Sequence, residues 1–464
     1  MTACGRRWLR RYATPAWSQA NGWNWRKWSR LWTRWSLSSG KTRATSPSPS
    51  RRRNSGIGGC VRALANGGWG FVCFNSLDGL RQKVAEAIRN ARLVAGEQVE
   101  LVQVEPVVDS VEPFVRKDPR DISLAVKKAQ LDQYIEAVWR TPGIASSTLG
   151  YGDGQRKIVF ANSEGTYIEQ ERVDVVFRAS ALARDGGEVQ QAHISIGSSG
   201  DYSLVEGLHG DVEAMARRAG ELLKAPQARG GEYTVVLDPV LAGVFIHEAF
   251  GHLSEADHVY ENERLKEIMV LGRRFGGPHL NVVDGASVPG LRGSYKYDDE
   301  GVSGGHTYLL KEGVLANRLH SRETAAKMGE QPTGNARAIS HYFPPIVRMT
   351  NTFIENGPAT FDDLIGEMKE GIYARNWFGG MTSMEQFTFS AGEAYMIRNG
   401  RVAEPLRPVM LSGNLFVTLK ELDAVANDLE MNQGGGCGKG GQSPLPVSNG
   451  SPHIRIRKCL VSGR

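Results

Sequence analysis

The feature that most constrains this chain is the spacing of two histidines inside an otherwise helical stretch. The segment "VFIHEAFGHLSEADH", residues 244–258, carries His247 and His252 in the pattern H-E-x-x-x-H. On an ideal α-helix, residues five positions apart are separated by about 500° of rotation, so their side chains diverge by about 140°. The two imidazoles can meet at one point only if the helix is interrupted. We therefore predict unwinding after Phe250 or a π-bulge, with Gly251 supplying backbone freedom.

The same stretch holds the residue types of a hydrolytic metal site. Such a site needs three protein ligands, an open position for water and a carboxylate close to that water. His247 and His252 are candidates for two ligands, and Glu248 is the candidate general base. The third ligand stays open among four alternatives: Glu255, Asp257, His258 and a distant thiolate. The competing interpretation is that all these groups cap or solvate an ordinary helix.

The composition is typical of a globular protein with room for more than one core. The chain has 464 residues, of which 41% are hydrophobic and 23% charged, and this length predicts two or three domains. No apolar run approaches the roughly 18 residues of a membrane helix, and the N-terminus lacks the apolar stretch of a secretory signal. Five cysteines form no CxxC pair. Such scattered thiols predict a reducing compartment, the cytoplasm.

Residues 1–55 differ sharply from the rest of the chain. Residues 1–77 contain fourteen Lys and Arg residues, the first acid is Asp78, and seven of the ten tryptophans lie at positions 8 to 35. The net charge of +6 therefore resides in this basic arm, and nucleic-acid binding is not expected of the chain as a whole. The arm is typical of a transit peptide, of an RNA-binding segment with stacking tryptophans, or of a gene-model artefact. We expect disorder in each case.

Beyond residue 55 the patterns predict an α+β protein. "GCVRALANGGWGFVCFN" is typical of a hairpin, and apolar residues at helical spacing follow over 77–91, 121–140 and 211–223. The stretch "KAPQARGGE" is interpreted as a linker. This predicts an N-terminal α/β-sheet domain over 56–228 and a strand-rich, barrel-like C-terminal domain over 229–464.

The predicted C-terminal domain opens with the strand "EYTVVLD" and a helix that leads into the two histidines. Asp238 is the expected N-cap of this helix and Pro239 its first residue. Short glycine-rich strands follow. The only further helices predicted in this domain lie near 321–328, 361–370 and 418–427.

Longer motifs carry a resemblance to a known family. "VVLDPVLAGVFIHEAFGHLSEAD" closely resembles the metal-binding segment of the TldD/PmbA family of zinc metallopeptidases, in particular of the active TldD-type subunit. "YKYDDEGVSGGHTYLLKEGVL", "PTGNARA", "PIVRMTNTFIENG", "FSAGEAYMIRNGRV" and "GGGCGKGGQSPLPVSNGSPHIRIRKCLVSG" follow in the order typical of the family. The resemblance extends from about residue 56 to the C-terminus. The start of the chain departs from the family pattern, which puts the first strand layer of the N-terminal domain in doubt.

The resemblance implies roles for individual residues. His247 and His252 match the paired metal ligands, Glu248 matches the catalytic glutamate, and Cys437 matches a third ligand in a glycine-rich loop. The implied cofactor is one zinc ion per chain. Support of the metal region is implied, with solvation or turn formation as equal alternatives, for three acids: Glu255, Asp299 and Glu300. Asn335 and Arg337 are candidates for contact with a peptide carboxylate or backbone, with salt-bridge and loop roles as the alternative.

The resemblance also implies an activity and a partner. Family members hydrolyse peptide bonds of short or unfolded peptides, with the glutamate assisting attack of a zinc-activated water. They work as dimers, so a homodimer or a heterodimer with a PmbA-type subunit is expected, without membrane contact. The alternative is a non-catalytic peptide-binding or regulatory subunit of such a dimer. The intact H-E-x-x-x-H motif and Cys437 count against that alternative.

Overall fold

The structure is a computed structural model that describes residues 23–40, 50–94, 99–383 and 385–463, with side chains from residue 56 onward except at residue 383. Its helices are α1 (Leu80–Leu93), α2 (Leu124–Trp139), α3 (His209–Lys224), α4 (Pro239–Ile246), α5 (Ala256–Glu261), α6 (Glu263–Ile268), α7 (Arg322–Met328), α8 (Phe361–Gly366) and α9 (Leu415–Glu421). A π-helical turn covers His247–Gly251, and 3₁₀ turns cover Tyr202–Val205 and His252–Ser254.

The strands of the N-terminal half are β1 (Trp23–Gly40), β2 (Ser50–Ala65), β3 (Gly68–Phe74), β4 (Val108–Val111), β5 (Ile144–Asn162), β6 (Tyr167–Asp185) and β7 (Glu188–Ser199). Those of the C-terminal half are β8 (Gly231–Leu237), β9 (Val282–Gly285), β10 (His306–Lys311), β11 (Val314–Leu315), β12 (Ala336–Arg337), β13 (Ile346–Val347), β14 (Asn351–Ile354), β15 (Glu370–Ser383), β16 (Gln386–Arg398), β17 (Arg401–Leu406), β18 (Val409–Asn414), β19 (Leu422–Val425), β20 (Glu430–Asn432), β21 (Gly436–Lys439), β22 (Gln442–Pro446), β23 (Ser448–Ser451) and β24 (Ile454–Gly463).

The N-terminal half is one sheet with helices packed against it. Its order is β3-β2-β1-β5-β6-β4, with β7 pairing to β6. Strand β6 shows why it forms: alternate residues from Val173 to Ala183 are buried, which is the period of a strand with one face on a core. Helices α2 and α3 contribute Leu131, Tyr134 and Met215 to that core. Helix α1 packs with β2 and β3 in a second, smaller core.

Strand β1 corrects one expectation. The composition predicts disorder for all of residues 1–55, but Trp23–Gly40 forms a strand paired antiparallel with both β2 and β5. The expectation is therefore wrong for Trp23–Gly40 and for residues 50–55, which belong to β2. Residues 1–22 and 41–49 lie outside the described residues. The physical reason is that extended backbone can pair along two neighbouring strands even where the side chains show no hydrophobic alternation.

The C-terminal half is built around a small closed barrel. Strands β15, β8, β24, β18 and β16 pair in that order, and β16 also pairs with β15, which closes the ring. A second sheet, of order β11-β10-β9-β14-β23-β20, lies in the same half. One large apolar core joins barrel residues such as Phe387 and Phe389 to Phe245 and Phe250 of the histidine-bearing segment. The α+β class with a barrel-like C-terminal region is thus confirmed.

The helix predictions in this half are partly wrong. The structure confirms helices near 321–328 and 361–370 as α7 and α8. The third begins earlier than predicted, at Leu415, and residues 422–425 are strand β19. The sequence patterns do not predict helices α5 and α6; each has six residues, too few for a helical period to show.

No helix among the described residues is long and apolar enough to span a membrane.

Ion pairs between the two halves of the molecule hold the halves together. Arg322 binds Glu164 through two 2.6 Å contacts, and Arg62 binds Glu300 at 2.8 Å. These pairs fix the N-terminal sheet against the half that carries the histidines.

Candidate metal centre

The helix that positions the histidines starts as predicted. The Asp238 side chain accepts a hydrogen bond from Leu241 N–H at 2.8 Å, and Pro239 occupies the first turn. An N-cap carboxylate and a proline at this position both satisfy or avoid the unpaired N–H groups of a helix start. All residues of α4 except Val240 are buried, so the helix is a rigid support for the two histidines.

The predicted interruption is present as a π-helical turn. His252 N–H donates to His247 O, a bond that spans five residues instead of four. The wider turn cancels the angular divergence of the two side chains, and their ring centroids lie 5.2 Å apart. The extra residue in the motif is therefore absorbed by the backbone, and both imidazoles reach one point.

Gly251 acts differently from the prediction. Its backbone is ordinary right-handed helix, with φ −58° and ψ −54°, so conformational freedom is not what this position uses. A Cβ added here would collide with the sulfur of Met349. Glycine fits here without displacing Met349, which packs directly against the π-helical turn.

Cys437 belongs to a segment near the C-terminus of the chain. It lies on β21, which pairs with β22 in a two-stranded hairpin, opposite Leu445. Its Sγ is 3.3 Å from Nε2 of His252, across 185 residues of sequence. One ligand atom from each of His247, His252 and Cys437 lies within 4.8 Å of the other two. The structure brings together the three residues that the resemblance implies as ligands.

The charges at this cluster favour a thiolate. Burial alone would raise the pKa of the Cys437 thiol, but His247 and His252 beside it lower that pKa to about 4. A thiolate is the form of cysteine that binds metal ions. Nδ1 of His247 is buried and has no hydrogen-bond partner among the described residues. Soft sulfur plus two imidazoles, with one buried ring nitrogen unsatisfied, fits a zinc ion with an open fourth position.

Glu255 holds His252 in the orientation that the cluster requires. Its carboxylate is completely buried and lies 2.9 Å from Nδ1 of His252. Because a carboxylate can only accept, Nδ1 carries a proton and donates it to Glu255, and Nε2 is the ring nitrogen that faces Cys437. Burial would raise the pKa of Glu255, but Lys439 and His252 lower it below its ordinary range. A carboxylate behind a ligating histidine is a recurrent feature of zinc sites.

Lys439 contacts the acids behind His252 and is not among the residues predicted from the sequence. Its Nζ lies 3.1 Å from Glu255 and 2.6 Å from Asp257, and its side chain is 8% exposed. It keeps the buried carboxylate ionised behind His252. A signal was available, because residues two apart on a strand share a face and Lys439 follows Cys437 by two.

The other candidates for the third ligand lie beside the cluster and not in it. Asp257 pairs with Lys439, and Nδ1 of His258 is 3.3 Å from the carbonyl oxygen of His252. Glu248 lies in the π-helical turn between the two histidines and is partly exposed. Its carboxylate has no hydrogen-bond or ion-pair partner within the described parts of the chain, so it is available to a water molecule or substrate.

Asp299 and Glu300, the other two acids for which support of the metal region is implied, have hydrogen-bond partners outside the cluster. Asp299 accepts a hydrogen bond from Ala338 N–H at 2.7 Å. Glu300 accepts from Arg62 at 2.8 Å and from Arg322 N–H at 2.9 Å. These bonds tie segments of the chain together, whereas Glu255 contacts His252 of the cluster.

Asn335 and Arg337 have structural partners. The Asn335 side chain donates to Asp284 and to the Arg348 carbonyl, both at 3.0 Å. Arg337 donates to backbone carbonyls of Met349 and Pro446. Of the two interpretations offered for these residues, the structure supports loop positioning.

Family models match most of the chain. The model described as the PmbA/TldA metallopeptidase C-terminal domain matches residues 230–463. The central-domain model of the same family matches 117–225, and the domain 1 model matches 50–91. Together they cover every segment that builds the cluster.

Two curated relatives and one solved structure agree with this match. A metalloprotease of Synechocystis is 50% identical over 409 residues, covering 88% of each chain. A zinc metalloprotease TldD homolog of Saccharolobus solfataricus is 31% identical, covering 87% of this chain and 89% of its own. The crystal structure of TldE from Thermococcus kodakarensis has a TM-score of 0.73 at 17% identity, covering 99% of this chain and 100% of that one. That last likeness shows a shared fold.

Proposed function

Because this chain belongs to the TldD/PmbA family of metallopeptidases, hydrolases of peptide bonds, we propose that it cleaves short or unfolded peptides at one zinc ion held by His247, His252 and Cys437. The observation that carries the proposal is the meeting of these three ligand atoms within 4.8 Å of one another. The name of the Saccharolobus relative supports zinc as the metal. The donor set supports the same choice, since thiolate with two imidazoles suits zinc better than hard cations.

Zinc in such a site supplies Lewis-acid activation of a water molecule and of the scissile carbonyl. The rest of the mechanism belongs to the chain. Glu248, adjacent to His247 and without a partner among the described residues, accepts the proton of the attacking water and passes it to the leaving amine. Glu255 keeps His252 in one tautomer, and Lys439 keeps Glu255 ionised.

A second subunit is part of the proposal. The resemblance implies a dimer, formed either by two copies of this chain or by this chain and a PmbA-type subunit. TldE from Thermococcus kodakarensis has the same fold as this chain. The competing function is a non-catalytic peptide-binding subunit. The intact ligand set and the availability of Glu248 favour the catalytic one.

Zinc content and peptide cleavage of matched variants test the proposal. We expect wild type to carry zinc and cleave an unstructured peptide, and Glu248→Gln to retain zinc but cleave about 10²–10⁴-fold more slowly. Glu261→Gln, an exposed glutamate of α5, is the control and should match wild type. A wild type without zinc, or equal cleavage by wild type and Glu248→Gln, would show the proposal to be wrong.

A further inference from the structure

A cavity lies between the N-terminal sheet and the hairpin that carries Cys437. It is a partly open cleft with a cavity volume of about 60 Å³. Three aspartates line it, and four arginines outnumber them: Arg156, Arg172, Arg292 and Arg337. Planar guanidinium groups bind carboxylates through paired hydrogen bonds, so a wall of this kind suits an anionic group of a ligand.

Three of the four arginines already have partners. Arg292 binds Asp174 through contacts of 2.7 and 2.9 Å. Arg337 donates to the Pro446 carbonyl at 2.7 Å, which anchors the end of β22. Arg156 donates to a backbone carbonyl of the C-terminal half at 3.4 Å. These three side chains build the wall and are not free to change partners without disturbing it.

Arg172 is different. Its guanidinium makes no hydrogen bond or ion pair with any residue in the described ranges, and its Nε is sealed from solvent without a partner. It stacks on the ring of Tyr295, 4.7 Å from the centroid. Burial and the positive charge of Arg337 lower the pKa of Arg172 to about 10, so the side chain stays charged near neutral pH. Asp298 lines the same cavity, and its negative charge opposes this lowering of the pKa. Its carboxylate already accepts three backbone N–H bonds, so within the described structure the Arg172 guanidinium has an acidic neighbour but no hydrogen-bonded counter-ion.

The strand register adds an independent observation. Arg172 of β6 stands directly opposite Arg156 of β5. Like charges facing each other across an antiparallel pair destabilise a sheet. Tyr295 fixes the position of Arg172 further, since Arg337 packs on the same ring at 5.3 Å and the Tyr295 hydroxyl donates to Gly334 O at 2.7 Å. The ring contact fixes the position of the Arg172 guanidinium and leaves its N–H donors without acceptors in the described structure.

The cavity is close to the metal centre. Leu445 and Pro446 line it, and Leu445 is the direct strand partner of Cys437. The pKa of Arg337 is lowered by burial, and the Cys437 thiolate is among the charges that oppose this effect. Paired strands lie about 4.8 Å apart and an extended peptide advances about 3.3 Å per residue, so a chain that crosses the cluster at Cys437 comes alongside Leu445 within roughly two or three residues.

We infer that Arg172 is a specificity-determining residue that binds a carboxylate of the peptide substrate, roughly two or three residues from the cleaved bond. The carboxylate is either the free C-terminus of the peptide or an acidic side chain, since both present the same group. The inference rests on the proposed peptidase function, because it concerns the substrate of that site. It predicts a preference for peptides with a carboxylate at that position, which the metal ligands alone would not produce.

Paired peptides test the inference. In the first pair the two peptides have the same sequence, and one ends in a free carboxylate while the other ends in an amide. In the second pair both peptides end in an amide, and one has Glu where the other has Gln, within three residues of the cleaved bond. We expect wild type to prefer the acidic member of at least one pair by about tenfold to a hundredfold in kcat/KM. Arg172→Gln should bring that ratio towards one, and Arg172→Lys should retain part of it. The pair that shows the preference identifies the source of the carboxylate.

Controls separate this inference from the function on which it rests. Arg184→Gln, an exposed arginine at the far end of β6, should keep the wild-type ratio. A ratio cancels differences in the amount of folded enzyme, because both peptides meet the same sample. Equal cleavage of both members of each pair by wild type, or an unchanged ratio in Arg172→Gln, would overturn the inference while leaving the peptidase intact. The second readout is the binding of the labelled peptide pairs to Glu248→Gln. If this variant binds the acidic member of a pair more tightly but wild type cleaves neither member, the inference is kept and the peptidase function is overturned.

Discussion

Two cysteines of the C-terminal half are equally buried and chemically opposite. Cys437 is 4% exposed and Cys459 is 3% exposed. Burial raises the pKa of Cys459 to about 12, whereas two histidines lower that of Cys437 to about 4 despite the burial. The difference shows that the neighbours of a buried thiol, and not its burial, decide whether it can bind a metal ion.

Two buried glutamates repeat the contrast. Glu255 is 0% exposed and Glu300 is 4% exposed. Glu255 contacts a histidine of the cluster, while Glu300 joins Arg62 to the start of α7. Each pair therefore contains one residue of the proposed metal centre and one residue outside it, and variants of matched residues can separate the two roles.

The largest effect is expected from removal of the thiolate. Cys437→Ala should lose its zinc and its peptide cleavage to background, because two imidazoles alone leave the site a ligand short. Cys459→Ala removes a thiol of the same burial and should keep both zinc and cleavage. Metal analysis and a peptide assay on the two purified variants check this. Equal zinc in both variants would contradict the contrast between the two thiols.

Glu300→Gln should reduce stability without touching the metal. It leaves the Arg62 guanidinium buried without its ion-pair partner, a change that costs about 3–5 kcal/mol in the free energy of unfolding. Denaturant unfolding measures the loss, and zinc content should equal that of wild type. The double variant Arg62→Met with Glu300→Met should recover much of the stability, since it removes both charges. Loss of zinc from a folded Glu300→Gln protein would instead place Glu300 in the metal centre.

Glu255→Gln should weaken zinc binding and leave the ligands in place. Loss of the carboxylate behind a ligating histidine lowers metal affinity by about 10–100-fold. Asp257→Asn is the matched control, because Asp257 shares Lys439 with Glu255 and is not a hydrogen-bond partner of His252. Competition with a chromogenic chelator measures both affinities. Equal affinity for zinc in the two variants would show that Glu255 does not support the metal centre.

The smallest effect is expected at Gly251. Gly251→Ala places a methyl group against Met349, and a flexible methionine can yield, so we expect a loss of about 1 kcal/mol in unfolding free energy. Combining it with Met349→Ala removes the obstacle, and the alanine should then cost no further stability in that background. Thermal unfolding of the four proteins in this cycle measures the coupling. Independent, additive costs would show that Met349 is not the reason for glycine at this position.

The local parts of the metal centre can be predicted from sequence because they are set over a few residues. Asp238 and Pro239 mark a helix start by their chemistry, and the five-residue spacing of His247 and His252 requires an interrupted helix if the rings are to meet. Cys437 lies 185 residues from His252, a distance at which no periodicity connects two residues. Only the family resemblance points to it.

Other features cannot be predicted because they are contacts between distant segments. The sequence suggests a backbone role for Gly251, but its neighbour Met349 lies far along the chain. The family-like turn implies for Glu300 either support of the metal region or turn formation and solvation, and none of these predicts its partner Arg62, which comes from the N-terminal sheet. Strand β1 escapes prediction because its pairing supplies the order that its side-chain pattern does not show.

The most direct test of the proposed metal centre is the zinc K-edge X-ray absorption spectrum of the purified protein. We predict a first shell with one sulfur at about 2.3 Å and two imidazole nitrogens at about 2.0–2.1 Å, and loss of the sulfur contribution in any zinc that Cys437→Ala retains. A wild-type spectrum with only oxygen and nitrogen ligands, or one that Cys437→Ala leaves unchanged, would contradict a zinc site built on Cys437.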